Sequence, residues 1–111
     1  MEFSITEYTH CDLIDISGRI DSYTSPKIAE VLKTLLADGH TNIVIDMKLV
    51  TYLSSSGMLV FVNAQKQRTR QDRGEIVFSN IPDCVLSSFK LAGFDQLFKF
   101  FDDVVSAVGR F

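Results

Sequence analysis

Cysteine is scarce in this chain. Only Cys11 and Cys84 of 111 residues carry a thiol, and they form no CxxC pair. That argues against a disulfide framework or a cysteine zinc site, and makes two reduced, partly buried thiols the expectation. Basic residues are in deficit as well. Eleven Lys and Arg against fourteen Asp and Glu give a net charge of −3, so the basic surface that general nucleic-acid binding needs is missing. No apolar run approaches the roughly 18 residues that span a bilayer. The opening MEFSITEYTH has no basic segment followed by an apolar one, so no membrane anchor or signal peptide is expected. Repeats, low-complexity stretches and linkers are lacking. So are the phosphate-cradling patterns GxxxxGK[ST] and GxGxxG, which leaves nucleotide chemistry without motif support. Histidine occurs only at His10 and His40. Neither stands at metal-ligand spacing from Asp12/Asp15 or Asp102/Asp103, so no metal and no cofactor are expected.

What remains is an apolar content of 46% against 23% charged residues. That suits one folded domain over residues 1–111, soluble and cytoplasmic. Phe3–Tyr8 and Cys11–Ser17 read as two short strands around a turn at Thr9–His10, with Asp12 and Asp15 on a solvated face. Ser25-Pro26 opens a helix, Ser25 as cap and Pro26 in the first turn. Ile28, Val31, Leu32, Leu35 and Leu36 share one face of it, and Gly39 stops it. The continuous apolar triplets in NIVIDM (Asn42–Met47) and EIVFSN (Glu75–Asn80) suit strands covered on both faces. Between them, Lys48–Tyr52 is a connection and Ser55–Gln71 a helix, apolar first and polar after Asn63. Its basic end, Lys66–Arg73, reads as solvated or as a contact for an acidic partner. Pro82–Ala92 is a helix with Val85, Phe89 and Ala92 on one side. Leu97–Phe101 is a final strand, and Asp102 caps a last helix carrying Val104, Val105 and Val108.

The order β-β-α-β-α-β-α-β-α predicts an α/β fold. Its sheet is mixed but mainly parallel, with four to five strands and about four helices. Functional loops of such sheets gather beyond the carboxyl ends of the strands. The stretch TYLSSSGMLVF (Thr51–Phe61) falls there, with Ser54, Ser55 and Ser56 at a helix start. One hydroxyl caps a helix, for about 1 kcal/mol. Three exceed that need. A helix start also tolerates a phosphate, because its free N–H groups and dipole favour negative charge. A serine hydrolase would need a base beside the nucleophile. His10 and His40 belong at the opposite, strand-start end, and no GxSxG elbow occurs.

These stretches resemble the STAS domains, and among them the bacterial anti-sigma factor antagonists. Leu53-Ser54-Ser55-Ser56-Gly57-Met58 is similar to the family's D-S-[S/T/A]-G segment. Ser17-Gly18-Arg19-Ile20-Asp21 with Thr24 resembles G-x-[IL]-D-x-x-[TS]. EIVFSN and FKLAGFDQLFKFF (Phe89–Phe101) resemble the later strand and the leucine-glycine stretch, so the likeness covers essentially the whole chain. It implies a single STAS domain that is a kinase substrate rather than an enzyme. Aligned on Gly57, Ser55 is the phosphate acceptor, with Ser56 and Ser54 as alternatives. Ser54 stands where the family has aspartate. The implied partners are an anti-sigma factor that is also a serine kinase of the ATPase-kinase type, and a PP2C-type phosphatase. The partner surface would comprise Asp21, Ser22, Thr24, Ser54, Ser55, Ser56, Gly57 and Met58; Met58 and Leu59 would offer it apolar contact, with burial under the helix expected for at least one of the two. Asp21 is either a hydrogen-bond partner of the serine loop or a turn residue. A monomer is expected. The alternative function is an unphosphorylated interaction module in a lipid-transport, secretion-control or sensory complex.

Overall fold

The computed structural model describes all residues, 1–111. Its elements are β1 (Glu2–Glu7), β2 (Asp12–Ile20), α1 (Ser25–Ala37), β3 (Ile43–Leu53), α2 (Ser55–Arg70), β4 (Ile76–Ser79), α3 (Asp83–Ala92), a 3-10 turn (Asp95–Leu97), β5 (Lys99–Phe101) and α4 (Val104–Gly109). The five strands lie in sequence order across one sheet. The β1–β2 pair is an antiparallel hairpin, and all later pairs are parallel. The mixed α/β fold expected from the element order is the one observed.

Successive strand residues face opposite sides, and the apolar triplets use this fully. Ile43, Ile45, Ile76 and Phe78 join a core of 19 buried residues beneath α1, α2 and α3. Val44 and Val77 join Cys11, Leu13 and Ala107 in a smaller cluster on the other face, which α4 helps to cover. Phe78 anchors the larger cluster, with the rings of Phe61, Phe89, Phe98 and Phe100 centred 4.9–5.6 Å away. On α1, Ile28, Leu32 and Leu36 are buried. Beyond Asp38, Gly39 takes φ +85. Its N–H donates to Leu36 O (3.1 Å), and His40 N–H donates to Leu35 O (2.8 Å), a paired closure that needs a left-handed residue.

Several boundaries differ from the sequence expectation. Lys48–Tyr52 is not a connection: β3 continues through it to Leu53, paired to a β2 that itself runs on to Ile20. Two register shifts, at Asp15/Ser17 and at Gly18/Arg19, each leave an extra residue in β3, so this half of the strand loses its two-residue alternation and its buried side chains, Met47, Val50 and Leu53, fall three apart. Thr24, not Ser25, is the N-cap residue of α1, and no side-chain bond caps that helix. Asp103, not Asp102, caps α4 by accepting from Ser106 N–H at 2.7 Å. Residues 95–97 turn as 3-10 helix, and β5 starts only at Lys99. Ala92 and Val105 are exposed, as is the Cys84 thiol. Asp12 is buried and Asp15 half-buried rather than solvated.

The polar half of α2 is also partly interior. Gln65 accepts from Ile76 N–H (2.7 Å) and donates to Leu97 O (2.9 Å). Arg68 is fully buried. Its Nε donates to Thr41 O (2.8 Å) and Nη1 to Ala64 O (3.2 Å). Burial lowers its pKa to about 10, so the guanidinium stays charged at neutral pH while its long stem packs. The basic end of α2 is therefore not simply solvated: its central arginine clamps the turn before β3. Replacing it orphans the Thr41 carbonyl and opens a cavity, and either change alone costs on the order of 1–3 kcal/mol. Arg68→Ala is expected to destabilise the fold by at least about 2 kcal/mol, read as a lower midpoint in urea unfolding followed by circular dichroism.

Candidate functional site

The carboxyl end of β3 delivers the serine triplet. Ser54 N–H donates to Ile20 O at 2.8 Å, continuing the β2–β3 pairing one residue past the strand. Ser54 has an extended backbone (φ −78, ψ 167), and its Oγ accepts from Gly57 N–H at 3.0 Å. It is therefore the cap of α2. Ser56 Oγ lies 2.9 Å from Ser54 Oγ and is tied into the same cap. Ser55 opens the helix as an exposed residue, and its hydroxyl has no partner in the chain. The three hydroxyls are thus unequal: one caps, one braces the cap, one is free at the positive end of a 16-residue helix.

Gly57 sets how closely that helix approaches the sheet. It is buried, and a Cβ built there would lie 2.8 Å from Ile20 Cγ2, 3.0 Å from Leu53 Cδ1 and 3.1 Å from Ile20 O. Only glycine lets the first turn of α2 rest on the ends of β2 and β3.

The neighbouring loop, after β2, holds its own shape. Asp21 Oδ1 accepts from Tyr23 N–H (3.0 Å) and Thr24 N–H (3.1 Å). The Thr24 hydroxyl accepts from Asp21 N–H (2.9 Å) and donates to Arg19 O (3.0 Å). Of the two roles open to Asp21, the structure assigns the turn, and no bond runs from it to the serine loop. Thr24 is likewise a turn residue, and Ser22 is exposed. Desolvation raises the pKa of Asp21, but the two backbone bonds, the Thr24 hydroxyl and Arg19 together outweigh it and hold the carboxyl below its ordinary range.

Burial revises the expected surface. Met58 is only 5% exposed and belongs to the core, so it is not an outward contact, whereas Leu59 is 46% exposed. Three exposed apolar residues were not expected: Tyr23 at 94%, Leu49 at 65%, and Tyr52, whose ring carries the Arg19 guanidinium 4.3 Å from its centre. Tyr23 and Tyr52 lie at or near the carboxyl ends of β2 and β3, and Leu49 lies within β3 opposite Ser17. Leu49 and Tyr52 were hidden by the reading of Lys48–Tyr52 as a connection. A large apolar residue among polar turn residues was the available signal for Tyr23.

The histidines sit at the other end of the sheet. His10 is in the β1–β2 turn and His40 just before β3. The 11 residues of β3, at about 3.3 Å each, carry the chain some 30 Å from there to the serines, too far for a base. His40 is not a free surface residue: its Nδ1 lies 2.8 Å from Oδ2 of the buried Asp12. The hydrogen bond and charge of Asp12 raise its pKa. No helix is long and apolar enough to cross a membrane.

The sequence profile of the STAS domain matches residues 2–107. The anti-sigma-B factor antagonist of Listeria monocytogenes is 31% identical over 97 residues, covering 87% of this chain and 83% of that protein. The anti-sigma factor antagonist SpoIIAA in its unphosphorylated form superposes with a TM-score of 0.84 at 17% identity, over 98% of this chain and 95% of that one. Its phosphorylated form gives 0.78 at 16%, over 98% of each chain. A Thermotoga maritima protein described as a candidate anti-sigma factor antagonist gives 0.89 at 16%, over 97% and 92%.

Three substitutions separate the roles around the triplet. Gly57→Ala is expected to cost about 1–3 kcal/mol through overpacking, Ser54→Ala about 1 kcal/mol through the lost cap, and Ser55→Ala under about 0.5 kcal/mol. Denaturant unfolding of the set checks that order. Asp21 contributes through a lowered pKa. That stability is complete above its unfolded pKa and is lost as pH falls through the lower folded value. Asp21→Asn is accordingly expected to flatten the acid limb of the stability curve below about pH 4 and to leave its shape at neutral pH unchanged.

Proposed function

The chain belongs to the STAS domain family, and from that membership we propose that it is an anti-sigma factor antagonist switched by phosphorylation of Ser55. The unphosphorylated chain binds an anti-sigma factor that is itself an ATP-dependent serine kinase, and so releases a sigma factor. Phosphate transferred to Ser55 weakens that complex, and a PP2C-type phosphatase resets it. On this reading the chain is a substrate, not an enzyme.

The observation that carries the reading is the free hydroxyl of Ser55 beside two committed serines. A kinase needs an exposed hydroxyl that can take the γ-phosphoryl group of ATP, with ADP leaving, without breaking anything in the fold. Ser55 meets that need, and Ser54 does not, because its oxygen holds the cap. The relatives named anti-sigma-B factor antagonist support the partner class. So does the solution of the related SpoIIAA fold in phosphorylated form.

Physics supplies the switch. A phosphate brings about −1.5 to −2 charges and three strong acceptors. At the first turn of α2 the helix dipole and free N–H groups tolerate it, so the fold survives. The adjoining segments are of the opposite character: Tyr23 in the loop after β2, Tyr52 before the serines and Leu59 one turn along α2 are exposed apolar groups. A partner closing over them must strip water from the dianion. A loss of about 3 kcal/mol weakens binding more than a hundredfold.

Incubation with the cognate kinase and ATP is expected to add one phosphate by intact mass, and Ser55→Ala is expected to abolish it. No gain with the kinase that binds the chain would point instead to an unphosphorylated interaction module. In parallel, Ser55→Asp should weaken kinase binding by calorimetry while shifting thermal unfolding little. Wild-type affinity for that variant would place the interface elsewhere.

A further inference from the structure

At the pole opposite the serines, Glu7, Asp12 and His40 converge from three segments. Glu7 ends β1 and Asp12 begins β2, and the two are direct cross-strand partners. His40 leaves the closing turn of α1, fixed there by its N–H bond to Leu35 O (2.8 Å). One ligand atom from each residue lies within 4.8 Å of the others. We propose that these three side chains form a site for a divalent cation of the borderline class, with Zn2+ as the best-suited ion.

The donor set is one imidazole nitrogen and two carboxylates, which fits Zn2+ and its neighbours better than the hard, all-oxygen preference of Ca2+ or Mg2+. Part of the geometry is already in place. His40 Nδ1 and Asp12 Oδ2 stand 2.8 Å apart. Ligand atoms bound at about 2.0–2.1 Å in a tetrahedron are separated by about 3.4 Å. The pair therefore opens by about 0.6 Å as the ion displaces the proton shared between Nδ1 and Oδ2 into solvent, and the exposed Glu7 side chain closes on the ion. Asp12 is only 3% exposed, so its carboxylate is held by the fold rather than free to turn away.

Charge gives a second, independent reason. Two carboxylates directly across a strand pair repel, and one of these is buried. A dication neutralises both, and it ties the β1–β2 hairpin to the turn before β3. The surface here is a cleft of about 340 Å³ lined also by Tyr8, Thr9, His10 and Gly39. It leaves room for the water that completes a three-residue site.

The test uses the whole chain carrying Cys84→Ser, which removes the exposed thiol as a competing ligand. Zn2+ titration by calorimetry is expected to show one equivalent bound, with a rise in unfolding temperature by linkage. Affinity is expected to fall at least about tenfold in Glu7→Gln and in His40→Gln. Glu7 is exposed, so Glu7→Gln leaves the fold intact and serves even if the other variant unfolds. Amide shifts in NMR spectra should centre on residues 7, 12 and 40. No binding, full affinity in Glu7→Gln, or a loss confined to His10→Gln would each overturn the site.

Discussion

The approach of α2 to the ends of β2 and β3 is the constraint on which the rest depends. Ser54 N–H on Ile20 O (2.8 Å) and the contact of Gly57 with Ile20 and Leu53 fix where the helix begins. A parallel strand can end in such a contact only if its neighbour reaches equally far. β2 does so by carrying its pairing through two register shifts to Ile20. The buried side chains Ile20, Leu53 and Met58 then join the core that holds the sheet to its helices. The position of the Ser55 hydroxyl is thus set by backbone pairing and close packing, not by its own bonds. This is why a residue with no partner in the chain still has a defined place.

The same arrangement separates stability from function. Capping is done by Ser54, approach by Gly57, and the shape of the adjoining loop by the Asp21–Thr24 turn. None of these needs Ser55. A modification there meets a helix dipole that favours it and a fold that does not use the hydroxyl. Its energetic effect therefore falls on whatever closes over Tyr23, Tyr52 and Leu59, where desolvation is required. Under the proposed function, the switch works because its cost appears in the complex and not in the free protein.

Much of this was legible from pattern. The apolar triplets announced strands covered on both faces, and the spacing of Ile28, Leu32 and Leu36 gave α1. The serines were placed at a helix start beyond a strand end. What escaped has common physical causes. The carboxyl half of β3 carries the extra residues of two register shifts, so its buried side chains fall every third position instead of alternating and it reads as loop. Gln65 and Arg68 are polar yet buried, because each meets backbone groups from elements distant in sequence. Such partners leave no local trace. Met58 and Leu59 show the limit of resolution: adjacent apolar residues at a helix start, one core and one surface, are distinguished only by the helix's orientation on the sheet. The pairing of Asp12 with His40, 28 positions apart, was invisible for the same reason as the Arg68 contacts.

Ser54 is where this chain departs from the aspartate of the family pattern, and the structure gives that departure a physical reading. Serine and aspartate are both strong caps, so the helix start is preserved by the exchange. What changes is charge. An aspartate at this position would place a carboxylate next to any phosphate on Ser55, and the two would repel. With serine there, the acidic residue of the adjoining loop after β2 is Asp21, whose carboxyl is turned into its own loop by the Tyr23 and Thr24 N–H groups. The helix dipole at Ser55 is therefore not already offset by a fixed negative cap. A phosphate there shares the first turn of α2 with a neutral cap, which holds only the Gly57 N–H, and the contrast between the neutral and the modified surface is larger than it would be beside an aspartate. The substitution leaves the proposed switch its mechanism and sharpens its electrostatic step.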